Sequence, residues 1–537
     1  MRRPPGPPSG APDPQPSTGA TQRPVLTMAA GTALSRLTGF ARLVALAYAL
    51  GSTRLADAYN LANTTPNMVY DLVLGGVLSA TLIPVFVDRL ATRSEEEAWE
   101  AISAVSSLVA VVLVGATAVF EALAPLLIHL YTVGNRGGPA EAHAATELLR
   151  VFAPQLLLYG GIFLTTALLN TRRRFGAPMF SPVANNILVI AVLVAVPHLA
   201  RGLSVTTIDA HPGVFWLLAG GTTVGVAAQL VAQLPSMRGA GLRLRWRWDP
   251  GHEAVATIVR LSGWTFGFVA ANQIALWVVL ALANGRSGDA SAYIYAWTFF
   301  QLPFGVVAVS VMSAIQPDMA EAWALGDVER FRRRLAGGLR STSAVIVPAA
   351  VGYIILAHPI VGLLLQHGRM GASGALTTAR ILALLSFGLP GFCAYLLLMR
   401  AYQAMQDTRT AFFLYLVENG VNVVLAFALY PVMGVRGLAV ALAAAYTVAT
   451  VVAAVDLRRR LSGLEGATLV RYLGRISAAA AAMAVAVALA AAATGSGDDS
   501  HRLSQVLAGT AVGLLVYFGV AGLLATAARR RNGRGGG

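Results

Sequence analysis

The sequence predicts an all-α polytopic membrane protein: about fourteen transmembrane helices, two lobes of six plus two extra C-terminal helices. Three observations carry this. Hydrophobic residues make up 56% of the chain and charged residues only 12%, about half the charged share of a soluble domain, and mean hydropathy is +0.64. Apolar segments of bilayer-crossing length recur along the whole chain with short polar breaks between them. The 40 basic residues are all arginine, and they alternate. With the N-terminus inside, the inner connections hold 27, the outer loops 7, and 6 lie within helices or at their ends, which is the asymmetry that positive-inside insertion produces. Both termini are therefore expected in the cytoplasm. The net charge of +15 is a topology signal that also attracts anionic lipid headgroups, and it requires no nucleic-acid partner.

Residues 1–26 hold eight prolines and no apolar run, which predicts a disordered cytoplasmic leader. The leader lacks the apolar region and cleavage site of a signal peptide, so it is expected to stay attached. The first lobe, 27–236, contains apolar spans at 28–50, 57–86, 98–122, 144–170, 178–198 and 214–235. Pro66 and the Gly75-Gly76 pair fall inside the second of these and predict a kink that serves as a hinge. The second lobe, 237–456, follows with spans at 255–284, 292–316, 341–357, 376–401, 411–430 and 437–455. The lobes look duplicated: Pro154, Tyr159, Arg173 and Asn186 recur 236 positions later as Pro390, Tyr395, Arg409 and Asn422. Ser79-Ala80 and Pro84 echo Ser313-Ala314 and Pro317 at a similar offset. Parallel repeats of this kind place a transport site at the interface of the halves. Spans 476–494 and 504–527 lie outside the repeat, in a unit at 457–528, and 529–537 is a basic tail. The single cysteine, Cys393, excludes an internal disulfide.

Two arginines, Arg36 and Arg42, sit inside the first span. An arginine at mid-membrane costs roughly 2.5–3.5 kcal/mol on insertion scales, so such residues usually face a bundle interior or a wet cavity. Snorkelling to an interface is the plainer alternative. Six residues apart, they project about 120° from one another around a helix and line two walls rather than one stripe. A guanidinium presents two parallel donors to phosphate oxygens, and Gly39 between them lets a neighbouring helix approach. Asp57 reads equally as the cap of the second helix or as a cargo contact. Asn67 reads equally as a partner for backbone freed at the kink or as polar lining. Asn185-Asn186, Asn272-Gln273, Gln301 and Glu418-Asn419 are further intramembrane polar positions, suited mostly to interhelical hydrogen bonds, with Glu418 a candidate for ion or proton coupling. No catalytic or nucleotide-binding motif occurs, and the eight histidines show no ligand spacing.

The block from Gly31 to Phe86 resembles the MurJ/MviN family of lipid II flippases. The matching pieces are Ser35-Arg36, Gly39-Phe40-Ala41-Arg42, Asp57-Ala58, Pro66-Asn67, Gly76 and Pro84. Tyr295-Ala296, Leu302-Pro303-x-Gly305-Val306 with Pro317, and Gln406-Asp407-Thr408-x-Thr410 resemble it as well. The resemblance implies two lobes around a cavity, related to multidrug exporters, and a tail groove made by the last two helices. It further implies alternating access that carries lipid-linked disaccharide-pentapeptide from the inner to the outer leaflet of a bacterial plasma membrane. Cavity arginines would hold the pyrophosphate, giving Arg36, Arg42, Ser35, Asp57, Asn67 and Gln301 as substrate-binding candidates. The implied partners are lipid II, membrane lipids, and cell-wall synthesis and division proteins. No cofactor or metal is implied beyond a coupling ion or the membrane potential.

The chain departs from the family pattern at Leu43, Tyr70-Asp71, Trp297-Thr298 and Gln301, so charge recognition falls more heavily on the two arginines of the first span. The alternatives are a multidrug or polysaccharide-unit exporter of the same superfamily, an intramembrane polyprenyl-phosphate enzyme, and a non-transporting scaffold for cell-wall assembly. The N-terminal block argues against the exporter, the missing carboxylate clusters against the enzyme, and the two intramembrane arginines against the scaffold.

Overall fold

The computed structural model describes residues 18–534, apart from 73–85, 87–88, 90–91, 133–137, 173, 201, 240, 242, 465 and 496. Among the described residues there is no strand. The first lobe contains α1 (Thr18–Leu50), α2 (Arg54–Tyr70), α3 (Glu95–Thr132), α4 (Gly138–Phe152), α5 (Gln155–Thr171), α6 (Gly176–Leu199) and α7 (Pro212–Val231). The second contains α8 (Glu253–Ala283), α9 (Asp289–Pro303), α10 (Val309–Ala324), α11 (Val328–Leu365), α12 (Ala372–Phe387), α13 (Leu389–Ala404), α14 (Thr408–Met433) and α15 (Val435–Arg460). Two long helices follow, α16 (Gly466–Ala493) and α17 (Asp499–Arg534).

Twelve of the described helices are long and apolar enough to cross a membrane, thirteen when α12 and α13, bent by 50°, are taken as one span. The expectation of about fourteen is consistent with this, because the second span is described only through residue 72. Gly75 and Gly76 lie outside the described residues.

Composition misplaces the start of α1. The helix begins at Thr18, inside the segment assigned to a disordered leader. Seven of the eight prolines precede that residue, so only Pro24 opposes helix there. Residues 1–17 lie outside the described residues.

The breaks within spans fall at prolines, which remove a backbone donor and crowd the preceding turn. Pro154 precedes α5 and Pro390 opens α13; these two residues are paired by the 236-residue offset. After Pro303 the chain makes a π-helical turn, Phe304–Ala308, before α10, the wide turn by which a helix absorbs a misplaced residue.

The main buried cluster draws on both lobes, including Leu50, Tyr59, Tyr295, Phe299 and Tyr402. A separate cluster of Leu356, Ala479, Ala480, Met483, Val487 and Tyr517 holds α16 and α17 against α11. Tyr517 adds a hydrogen bond to the Ala344 carbonyl at 2.7 Å.

Candidate functional site

α1 packs along α6, and Asn186 of α6 anchors it there. The Asn186 amide donates to the Ser35 carbonyl at 3.3 Å and to Thr38 Oγ1 at 3.0 Å. It lies 3.6 Å from where a Cβ on Gly39 would stand. The close approach expected at Gly39 is therefore present. Ser35, by contrast, takes part through its backbone, within helix packing.

Arg36 is exposed, and its guanidinium rests on Gly305 in the π-helical turn of the second lobe, where a side chain would collide with it. Arg42 is half-buried. Arg42 and Asn67 both lie near the Tyr159 hydroxyl, and Tyr70 packs on the Tyr159 ring at 5.5 Å. Among the described residues no carboxylate lies within 4.0 Å of either guanidinium. Arg54 differs: it pairs with buried Glu141 at 3.1 Å and bonds the Asn284 carbonyl at 2.9 Å. A guanidinium that has no counter-charge among the described residues and lies within a membrane span is the kind of group that usually faces a bundle interior or a wet cavity.

Gln301, one helical turn before Gly305, lines a cavity of about 360 Å³ with Asp71, Gln273, Trp297, Glu418, Asn422 and Tyr446. This cavity offers acceptors rather than cations. Gln273 donates to Asp71 at 3.5 Å, while Gln273 Oε1 and Asn422 Oδ1 have no donor. Such a lining suits a cation, a proton or hydroxyl-bearing groups, and not a pyrophosphate. The Arg36 guanidinium, at Gly305, and the polar cavity, at Gln301, thus lie about one helical turn apart. On the other side of the same span, Pro303 lines an apolar groove of about 340 Å³ with Pro348, Tyr353, Leu356, Met483 and Tyr517, between α11, α16 and α17.

Asp57 needs correcting on its reading as the cap of α2. The cap of α2 is Thr53, whose hydroxyl accepts from the Ala56 amide at 3.3 Å. Asp57 instead caps α9 in the opposite lobe. Oδ2 accepts from the Gly288 amide at 2.6 Å, and Oδ1 from the Ser291 amide at 2.8 Å and the Ser291 hydroxyl at 2.7 Å. The residue is 0% exposed, so in this state no cargo reaches it.

The physical reason is that α9 starts after Gly288, which has φ +82° and no side chain with which to cap. The orphaned helix amides take a carboxylate from across the interface. Ser52 Oγ donates to the Gly288 carbonyl at 2.7 Å, Asn60 to Ser291 at 3.0 Å, and Tyr295 to the Gly51 carbonyl at 2.9 Å. The Arg369 amide donates to the Tyr48 carbonyl at 2.9 Å. Together they seal the lobes at the arginine-poor end. At the arginine-rich end, Arg89 meets Glu253 at 3.1 Å with the glutamate 71% exposed, a pair worth little.

Sequence reasoning missed this seal, because the signal, an uncapped helix start after a glycine, names no partner. The Asn67 amide donates to the Asn63 carbonyl at 2.9 Å, one residue beyond the Ala62 carbonyl that Pro66 leaves without its helical donor, so this bond does not satisfy the group freed at the proline; Asn67 also lies beside Tyr159, near Arg42.

The chain matches the family model described as lipid II flippase MurJ over residues 46–497. It is 27% identical over 419 residues to a probable lipid II flippase MurJ of Rhizobium meliloti (strain 1021), covering 77% of this chain and 76% of that protein. It is 26% identical over 450 residues to a lipid II flippase MurJ of Burkholderia cenocepacia, covering 82% and 84%. Among solved structures, one described as lipid II flippase MurJ in an inward closed conformation matches with a TM-score of 0.77 at 21% identity, over 94% of this chain and 99% of that one. An inward-facing multidrug resistance MATE family transporter of the MOP superfamily matches with 0.67 at 16% identity, over 82% and 99%.

Proposed function

This chain belongs to the lipid II flippase MurJ family, and we propose that it carries the lipid-linked peptidoglycan precursor from the inner to the outer leaflet of a bacterial plasma membrane by alternating access. It is a multi-pass membrane transporter, not an enzyme. One observation supports the assignment of its parts above the others: along Gln301–Gly305, three environments meet within about one helical turn. Gln301 faces the polar cavity, Pro303 the apolar groove, and Gly305 the Arg36 guanidinium. An amphiphile with a polyprenyl tail, a pyrophosphate and a sugar-peptide head needs those three environments side by side.

In this reading the groove between α11, α16 and α17 takes the tail. Arg36 and Arg42 hold the pyrophosphate by paired charge-assisted hydrogen bonds, and the cavity receives the polar head. The arginine asymmetry puts the sealed end outside, so cargo is taken from the inner leaflet. Release requires the Asp57 cap of α9 to open. Glu418, 2% exposed, is the carboxylate we assign to coupling with an ion or proton. Asn67 and Ser35 position the first lobe's wall. The test is complementation: a host depleted of its own lipid II flippase should regain growth and cell shape when this chain is expressed. Failure at normal membrane abundance would overturn the reading.

A further inference from the structure

The connection between the lobes carries a pattern that transport does not use. Residues 243–248 read Arg-Leu-Arg-Trp-Arg-Trp, and Arg243–Asp249 forms neither helix nor strand. In an extended segment successive side chains face opposite ways, so three cations share one face, and Leu244, Trp246 and Trp248 share the other.

The segment is held in place. The Arg245 and Arg247 amides donate to Ser103 Oγ at 3.1 Å and Ser107 Oγ at 3.0 Å on α3. Two residues of extended chain rise about 6.6 Å and four of helix about 6 Å, so the two registers match and the segment lies along α3. Upstream, Arg174 holds the Ser236 and Gly239 carbonyls at 2.9 and 2.7 Å, and Arg172 holds that of Gly241 at 3.3 Å. Downstream, His252 caps α8 by accepting from the Ala254 amide at 3.1 Å. Yet this fixed segment leaves Trp246 70%, Trp248 54% and Leu244 39% exposed.

Its depth identifies what covers them. On α3 the exposed apolar residues begin at Val111 and continue through Val119 and Leu126 to Leu130, a band of about 30 Å, one hydrocarbon thickness. Ser107, bonded to Arg247, lies one turn before that band. The tryptophans therefore stand at the edge of the hydrocarbon, the level at which membrane proteins concentrate them. The cationic face is only partly neutralised: Arg247 meets Glu100 at 3.0 Å, while Arg243 reaches Glu95 only at 4.0 Å with both groups more than half exposed. This end is arginine-rich, and hence faces the leaflet whose surface is anionic.

We propose that Arg243–Trp248 is an interfacial strap that binds anionic phospholipid headgroups of the inner leaflet, its tryptophans seated among the upper acyl chains and its arginines on the phosphates. The strap thereby fixes the interlobe connection at the membrane surface while the lobes move. Its occupant is the bilayer rather than a soluble partner, because a soluble partner would not reach residues at the hydrocarbon edge.

The test uses the full chain reconstituted in vesicles of phosphatidylcholine alone or of phosphatidylcholine mixed equally with phosphatidylglycerol, with lipid brominated near the headgroup end of the chains. Emission of the wild type minus that of Trp246→Phe/Trp248→Phe isolates the pair. The expected result is blue-shifted emission quenched by brominated lipid, more so with phosphatidylglycerol. Arg243→Gln/Arg245→Gln should reduce that lipid preference by up to about fivefold per arginine, and Arg243→Lys/Arg245→Lys should retain most of it. Water-like, unquenched emission in both vesicles would overturn the proposal, as would quenching indifferent to phosphatidylglycerol. A monodisperse profile in detergent for each variant separates either result from misfolding.

Discussion

Arg42 and Asp57 are both charged groups in apolar surroundings, and they differ in what answers the charge. Among the described residues no carboxylate lies within 4.0 Å of the Arg42 guanidinium. Arg42→Glu should therefore abolish complementation at normal membrane abundance, and Arg42→Lys should reduce it about tenfold, the loss of one charge-assisted bond of roughly 1.5 kcal/mol. Full rescue by Arg42→Ala would remove it from cargo binding.

Asp57 is answered by three donors at the start of α9. Asp57→Asn turns one acceptor into a donor facing an amide, which should weaken the seal by about 1–3 kcal/mol. A Gln301→Cys reporter should then label faster with an external impermeant maleimide, against a background in which Cys393 is buried. Unchanged labelling would mean that other contacts hold the seal. Glu418→Gln should leave abundance intact and flatten the dependence of transport on ion or proton gradient, and an unaltered gradient dependence would exclude it from coupling. The arginines were legible in the sequence because a charge in an apolar run is visible in one dimension. The partner of Asp57 lies 231 to 234 residues away, so nothing local marks it.

At the scale of elements, the prolines were readable and their consequences were not. α2 continues through Pro66 to Tyr70 and then becomes π-helical at 71–72, although Pro66 leaves the Ala62 carbonyl without its helical donor. The proline thus weakens the helix without ending it. Pro66→Ala restores the backbone donor and should slow transport while the protein stays folded and inserted; an unchanged rate would make the bend static. The wide turn after Pro303 had no sequence signature beyond the proline itself. Its use is tertiary, since it presents Gly305 to Arg36.

Over the whole molecule, reporter fusions test the topology. Those after Ser204, Gly371 and Ser496 should be external, and those after Arg174, Arg334 and Arg459 internal; an external reporter at Arg459 would break the count of spans. Membrane class, approximate spans and the two arginines were determined by the sequence alone, because each follows from residue type and local order: apolar length sets a span, and loop charge sets its direction. Only the tertiary structure decided which polar residues meet. It gave Asp57 to the opposite lobe, drew Gln301 and Glu418 into one cavity that no arginine lines, and set that cavity and an apolar groove at neighbouring positions of one span. Hydropathy and charge are properties of a segment, whereas a hydrogen-bond partner is chosen by how helices hundreds of residues apart pack.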